Sequence, residues 1–220
     1  SSAGAEGNDS VAASDQRSSY PEDLDKASYS LGYTLAENVT QRFTEGVNVA
    51  AFIQGVEDKF TDKTLAISEE EASAALQVLA QRQHSAMNTK AEENLAAGLA
   101  FLEQNATREE VTSLPSGLQY EILTAAQGAK PAATDTVTTH YHGTLVDSTV
   151  FDSSYERGQP ASFPVNGVIS GWTEALQLMK VGAKARLVIP SNLAYGDGSP
   201  SPKIPPGSTL VFEVELLGIE

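Results

Sequence analysis

Apolar positions recur at helical spacing along the first half of the chain and alternate along the second. Leu24, Ala27, Leu31, Leu35 and Val39 trace a stripe behind Pro21, with Glu22 and Asp23 in the first turn, which predicts a helix starting at Pro21. Asn48 stands where an N-cap belongs for a second helix whose face is Val49, Phe52, Ile53, Val56 and Phe60. Ser68 and Glu71 form an S-x-x-E capping box, and from there a helical pattern runs without Pro to about Asn105. A helix of that length extends roughly 57 Å at 1.5 Å per residue. Ala72, Ala75, Leu76 and Leu79 give it an apolar face at its start, and Leu95, Leu99 and Leu102 give it another near its end. Gln81 to Asn94 between them is polar all round, which predicts a stretch crossing solvent between two packed regions.

After Pro115-Ser116-Gly117 the period changes. Leu118, Tyr120 and Ile122 alternate with Gln119 and Glu121; Val137, Thr139 and Tyr141 with Thr138, His140 and His142; Ala185, Leu187 and Ile189 with Lys184, Arg186 and Val188; and Leu210, Phe212, Val214 and Leu216 with Val211, Glu213 and Glu215. These are half-buried antiparallel strands. One short helix, Trp172 to Lys180, lies among them: Trp172, Ala175, Leu176 and Met179 share a face, and Gly182 follows where a C-terminal cap belongs. The fold class is α+β, an all-helical N-terminal region followed by a bent antiparallel sheet around a short helix. The pattern divides into a small, polar, disordered leader over residues 1–19, a helical region over 20–67, a long linking helix over 68–110 whose first part packs with that region, and a sheet domain over 111–220. The leader reads as a frayed terminus or as a tether to a membrane anchor. The apolar stripes up to about residue 80 belong to a unit too small to bury them, so a second copy of the chain is the expected partner.

Charge narrows the partners. Lys and Arg number 14 against 29 Asp and Glu, a net charge of -15 over 220 residues, which repels phosphate backbones and argues against nucleic acid. No window approaches 18 consecutive apolar residues, so no transmembrane segment is expected. The chain has no cysteine, which removes disulfides and thiolate metal sites and suits an oxidising compartment. A start at Ser1 fits a mature chain whose signal peptide has been removed, and fits a trimmed one equally.

Several polar candidates carry little chemistry. Gly196-Asp197-Gly198-Ser199-Pro200 lacks the Lys-Ser/Thr ending and strand–loop–helix context of a phosphate loop and reads as a surface flap. His140 and His142 share a strand face without an evident third metal ligand, so a solvent-facing pair is the reading. Ser153, Ser154 and Ser191 have no adjacent His in sequence and no elbow motif, which argues against a nucleophilic triad. What remains is apolar: Tyr141, Phe151, Val168, Ile169, Trp172, Tyr195, Ile204 and Phe212, with Asp152 and Arg157 at the edge. Such a set is either an ordinary core or the lining of a pocket with Trp172 as its floor.

The segments Val137-x-x-x-Tyr141-x-Gly143, Phe151-Asp152-Ser153-Ser154, Val168-Ile169-Ser170-Gly171-Trp172, Leu193-Ala194-Tyr195-Gly196, Ile204-Pro205-Pro206 and Thr209 to Leu216 occur in this order. Together they resemble the FKBP family of peptidyl-prolyl cis–trans isomerases over residues 115–220. The helical part, with Tyr29-Ser30-Leu31-Gly32 and Phe52-Ile53-x-Gly55-Val56, resembles the dimerisation region and stalk of the bacterial Mip and FklB/FkpA group. The resemblance implies a catalytic set of Tyr141, Phe151, Asp152, Ile169, Trp172, Tyr195 and Phe212, with Arg157, Val168, Ile204, Ala161 and Phe163 as substrate-binding neighbours. It implies that the Ile169 N–H and the Tyr195 hydroxyl bond substrate or drug carbonyls. It also implies proline-containing polypeptides and unfolded proteins as substrates, macrolides such as rapamycin as inhibitors, a homodimer through the N-terminal helices, and a periplasmic or outer-membrane-associated location, with the cytoplasm left open. Neither metal nor cofactor is implied. Ala161 stands where many members carry an aromatic wall, which points to a wider pocket and weaker macrolide binding. Three functions remain distinct at this stage: an isomerase acting in folding, a holdase whose pocket only grips Pro-containing segments, and a surface-attached binding protein.

Overall fold

A computed structural model of the chain describes residues 20–220; the leader expected over residues 1–19 lies outside the described residues. The described residues divide into two compact units, one ending at Gln83 and the other His84–Glu220.

The first unit holds α1 (Asp23–Arg42), α2 (Val49–Phe60) and the start of α3 (Glu69–Ala106). Local capping chemistry places two of these starts. The Ala51 N–H donates to Asn48 Oδ1 at 2.9 Å. Ser68 and Glu71 exchange hydrogen bonds, the Glu71 N–H to Ser68 Oγ and the Ser68 N–H to Glu71 Oε2, each at 3.0 Å. α1 begins at Asp23 rather than Pro21, because Glu22 stays extended and makes no side-chain cap; Asp23 and Asp25 then occupy the first turn. Neither α1 nor α2 has a buried residue: Leu24 is 81% exposed and Phe60 86%.

The second unit is a strongly bent antiparallel sheet. Its strands are β1 (Thr112–Ser113), β2 (Gln119–Thr124), β3 (Thr136–Leu145), β4 (Val150–Ser153), β5 (Ala161–Pro164), β6 (Lys184–Ile189) and β7 (Leu210–Ile219). They pair in the order β1-β2-β6-β7-β3-β4, with β5 on the first half of β3. Two short helices, α4 (Ser154–Arg157) and α5 (Ser170–Leu176), interrupt the connections. The inward positions of the alternating segments, Leu118, Val137, Tyr141, Leu187, Ile189, Leu210, Val214 and Leu216, form one core with Trp172, Ala175 and Leu176 of α5.

Two sequence expectations are corrected here. The short helix is α5, which ends at Leu176 instead of Lys180, and Gln177 takes the cap position. The chain tightens at that end, the Leu178 N–H bonding Ala175 O at 3.0 Å, which still buries Met179. Gly182, at φ +94, donates to Leu216 O at 2.7 Å and turns the chain into β6, so it is not a helix cap. The second correction concerns the other face of the sheet. Alternation places Gln119 and Glu121 toward solvent, but both are buried under the second half of α3. Asn105 Nδ2 donates to Gln119 Oε1 at 2.8 Å, Gln119 Nε2 donates to Leu102 O at 2.9 Å, and Arg108 pairs with Glu121 at 2.7 Å. Leu102 packs there with Val188 and Val211. The polar stretch of α3 accordingly ends sooner than its sequence suggests, since Ala91 is already buried.

Candidate active site

The site is built on the concave side of the sheet, where β3, β4, α5 and the loop before β7 converge. A cavity of about 630 Å³ opens there. Trp172, 4% exposed, comes from the start of α5 and is met edge-on by three rings. Their centroids lie at 5.3 Å for Tyr141, 5.5 Å for Phe163 and 5.2 Å for Phe212, with interplanar angles of 83°, 77° and 85°. Phe151 stands perpendicular to Phe212 at 5.4 Å. Edge-to-face contact is the arrangement that aromatic quadrupoles favour, so the rings hold one another in place. Gly143 makes room for two of them: a Cβ there would fall 2.6 Å from Phe151 Cζ and 2.8 Å from Phe212 Cε1.

One edge of the cavity is polar. The Tyr141 hydroxyl donates to Asp152 Oδ2 at 2.5 Å and accepts from Arg157 Nη2 at 2.8 Å. Arg157 also pairs with the other oxygen of Asp152 and lies over the Tyr141 ring, 5.6 Å from its centroid. Burial, followed by the bond to Asp152, pushes the Tyr141 phenol above its usual value, so it stays a donor at neutral pH. Ile169 and Tyr195 add two more polar groups to the lining, a backbone N–H and a hydroxyl. No acceptor for the Ile169 N–H and no partner for the Tyr195 hydroxyl is found among the described residues, and Tyr195 is 43% exposed.

The sequence-derived set falls around this space unevenly. Tyr141, Phe151, Asp152, Phe163, Val168, Ile169, Trp172, Tyr195, Ile204 and Phe212 line the cavity. Arg157 and Ala161 do not. Arg157 acts at one remove by fixing Tyr141 and Asp152, and Ala161 is a strand residue paired with Thr139. Gly167, Pro200 and Ser201 also line the cavity and were not among the expected residues. For Pro200 and Ser201 a signal existed, since the flap that carries them lies between Tyr195 and Ile204 in sequence.

The serines and histidines set aside from sequence do meet in the fold. His140 Nδ1 lies 2.8 Å from Ser154 Oγ and His142 Nδ1 lies 3.0 Å from Ser153 Oγ. Both serines are buried, and Ser154 is occupied by the Tyr141 backbone, accepting from its N–H at 2.7 Å. These pairs sit at the outward positions of β3, across the strand from the cavity, and tie α4 to the sheet. Among the described residues no group of three or more His, Asp or Glu is placed to hold a metal ion. The cavity presents a ring-walled space with a few polar groups at its edge.

Comparison with known proteins places the chain in a family. Residues 127–217 match the family model described as FKBP-type peptidyl-prolyl cis–trans isomerase, and residues 24–122 match the domain amino terminal to it. The FKBP-type 22 kDa peptidyl-prolyl cis–trans isomerase of Escherichia coli is 45% identical, with 88% of this chain and 94% of that protein covered. The outer membrane protein MIP of Legionella longbeachae is 42% identical over 90% of this chain and 86% of its own. The crystal structure of FkpA from Escherichia coli superposes with a TM-score of 0.66 at 38% identity, covering 92% of this chain and 99% of that one.

Proposed function

The chain belongs to the FKBP-type peptidyl-prolyl cis–trans isomerases, and we propose that it turns X-Pro bonds in the ring-walled cavity of its second unit without covalent chemistry. The observation that carries this assignment of the site is Trp172, held at the base of an open cavity by three edge-on rings. Rotation about a peptide bond faces a barrier of ~18–20 kcal/mol, because resonance favours planarity. Uncatalysed X-Pro exchange takes tens of seconds or longer. The twisted amide has lost resonance and is less polar than the planar one. A dry aromatic space favours it over the ground state, and that difference is what accelerates the reaction. Trp172, Phe212, Phe163 and Phe151 supply the space. The Ile169 N–H and the Tyr195 hydroxyl are the donors available for carbonyls flanking the proline. Asp152, fixed by Tyr141 and Arg157, faces the bond as it turns.

Exchange NMR on a short Pro peptide tests the site. Phe212→Ala and Asp152→Ala are expected to lower the exchange rate sharply with the fold intact, and full activity in both would refute the assignment. Rapamycin is the expected inhibitor. We further propose a homodimer through α1 and α2, supported by their unburied stripes of Leu24, Leu31, Val49, Ile53 and Phe60. A periplasmic or outer-membrane-associated location is supported by the relative named as an outer membrane protein. No helix among the described residues is long and apolar enough to cross a membrane.

A further inference from the structure

The wall of the cavity formed by Tyr195 and Ile204 belongs to a segment, Ala194 to Thr209, without a strand or α-helix of its own. Its internal ties are mostly short turn bonds, such as the Gly198 N–H to Tyr195 O, the Ile204 N–H to Ser201 O and Ser208 Oγ to Pro205 O, with two that reach further. The Gly207 N–H donates to Gly196 O at 2.9 Å, and Ser199 Oγ donates to Ile204 O at 2.7 Å. Pro205 and Pro206 have no N–H to contribute, so at these two positions only the carbonyls can bond. Pro206 is buried, and its carbonyl accepts from Asn94 Nδ2 at 2.9 Å across 112 positions of sequence. No other bond to that carbonyl is found among the described residues.

The neighbouring turns of α3 press on the same segment. A Cβ on Gly207 would fall 2.4 Å from Ala91 O, so the loop backbone lies directly against the helix. A Cβ on Gly98 would fall 2.2 Å from Thr209 Oγ1. Ala91, Asn94 and Gly98 are spaced three and four apart, one face of the helix. They meet Gly207, Pro206 and Thr209, which lie between Ile204 and Phe212 of the cavity wall.

We infer that this face of α3 is part of the frame of the active site, with Asn94 as a positioning residue that fixes Ile204 and the start of β7 through the Pro206 carbonyl. The helix thus does more in this unit than join it to what precedes. The inference rests on the cavity being the active site. A fragment cut at about residue 110, lacking Ala91, Asn94 and Gly98, would turn over a tetrapeptide more slowly than the whole chain.

The test uses the full chain and an Ala-Leu-Pro-Phe tetrapeptide. Asn94→Ala, and the near-isosteric Asn94→Asp, which lacks the donor, are each expected to lower kcat/KM by about tenfold, within the range that misplacement of about 1 Å produces. Arg108→Ala is the control. It removes a contact between the turn that follows this helix and the sheet, at Glu121, but touches no residue of the loop. It should lower the melting temperature at least as much as the Asn94 variants while leaving kcat/KM at the wild-type level. Wild-type turnover in a folded Asn94→Ala or Asn94→Asp chain overturns the inference, and so does a loss in Arg108→Ala equal to theirs, which would mark a purely structural effect. Phe212→Ala separates the premise: if it too keeps full turnover, the cavity assignment itself has failed.

Discussion

Replacing Gly143 by Ala adds one methyl group to a strand and is expected to damage turnover far more than stability. An ideal Cβ at this position falls 2.6 Å from Phe151 Cζ, 2.9 Å from Phe151 Cε2 and 2.8 Å from Phe212 Cε1. Carbon atoms pack at ~3.5–4.0 Å, so both rings must retreat by about 1 Å. Gly143 pairs with Asp152 on one side and Phe212 on the other, which leaves the strand itself little freedom to yield. The rings move toward the open cavity that they line. Overpacking of this kind costs about 1–3 kcal/mol. Removing a Gly from a strand interior returns about 0.5–1 kcal/mol through the unfolded chain. The net destabilisation is then about 0–2.5 kcal/mol, which a stable domain tolerates. A catalytic wall displaced by about 1 Å loses up to about 100-fold in rate. Exchange NMR on a Pro peptide, run beside a thermal melt, measures both quantities on one sample. Wild-type turnover in a folded Gly143→Ala chain would show that Phe151 and Phe212 need not stand where they do, and the mechanism built on their placement would fall.

Other outcomes follow from the same geometry. Trp172 is the one Trp of the chain and lies on the cavity floor, so rapamycin should change its fluorescence; unaltered emission with binding confirmed by calorimetry would place it elsewhere. The Tyr155 phenol is pushed up to about 12, first by burial and then by its bond to Glu215. A raised folded value means that its contribution to stability is complete below the unfolded value near 10 and is lost as pH rises toward about 12. Tyr155→Phe should therefore flatten the decline in melting temperature over that window, and an identical decline in both proteins would contradict it. Light scattering should report a dimer for the whole chain, and substitution of Leu31 and Ile53 by Asp should yield a monomer with tetrapeptide turnover retained; a monomeric parent chain would refute the dimer. In proline-limited refolding of a denatured protein the dimer should exceed that monomer, because two linked sites raise the effective concentration of the second.

Much of the fold was legible because its signals are local. Asn48 and the Ser68–Glu71 pair cap helices by bonds spanning three residues, which a sequence displays directly. Alternation located the strands and their inward face, and the ordered aromatic segments pointed to the cavity, because side chains two apart in a strand share a face whatever the sheet does next. What the other face meets is a different matter. Gln119 and Glu121 look solvated in any local window, and only the arrival of α3 buries them beside Asn105 and Arg108. The true end of α5 depended on how the chain must turn to reach β6, which made Gly182 a turn residue paired with Leu216 instead of a cap. The same holds at the site. The sequence named Arg157 and Ala161 as contacts, but the fold sets both outside the lining and brings in Gly167, Pro200 and Ser201. Asn94 looked like one more polar residue on a solvated helix until Pro206 came to rest against it. Periodicity and capping report forces acting within a few residues. Partners separated by a hundred positions are chosen by packing of the whole domain, where burying a carbonyl without a donor costs more than any local preference returns.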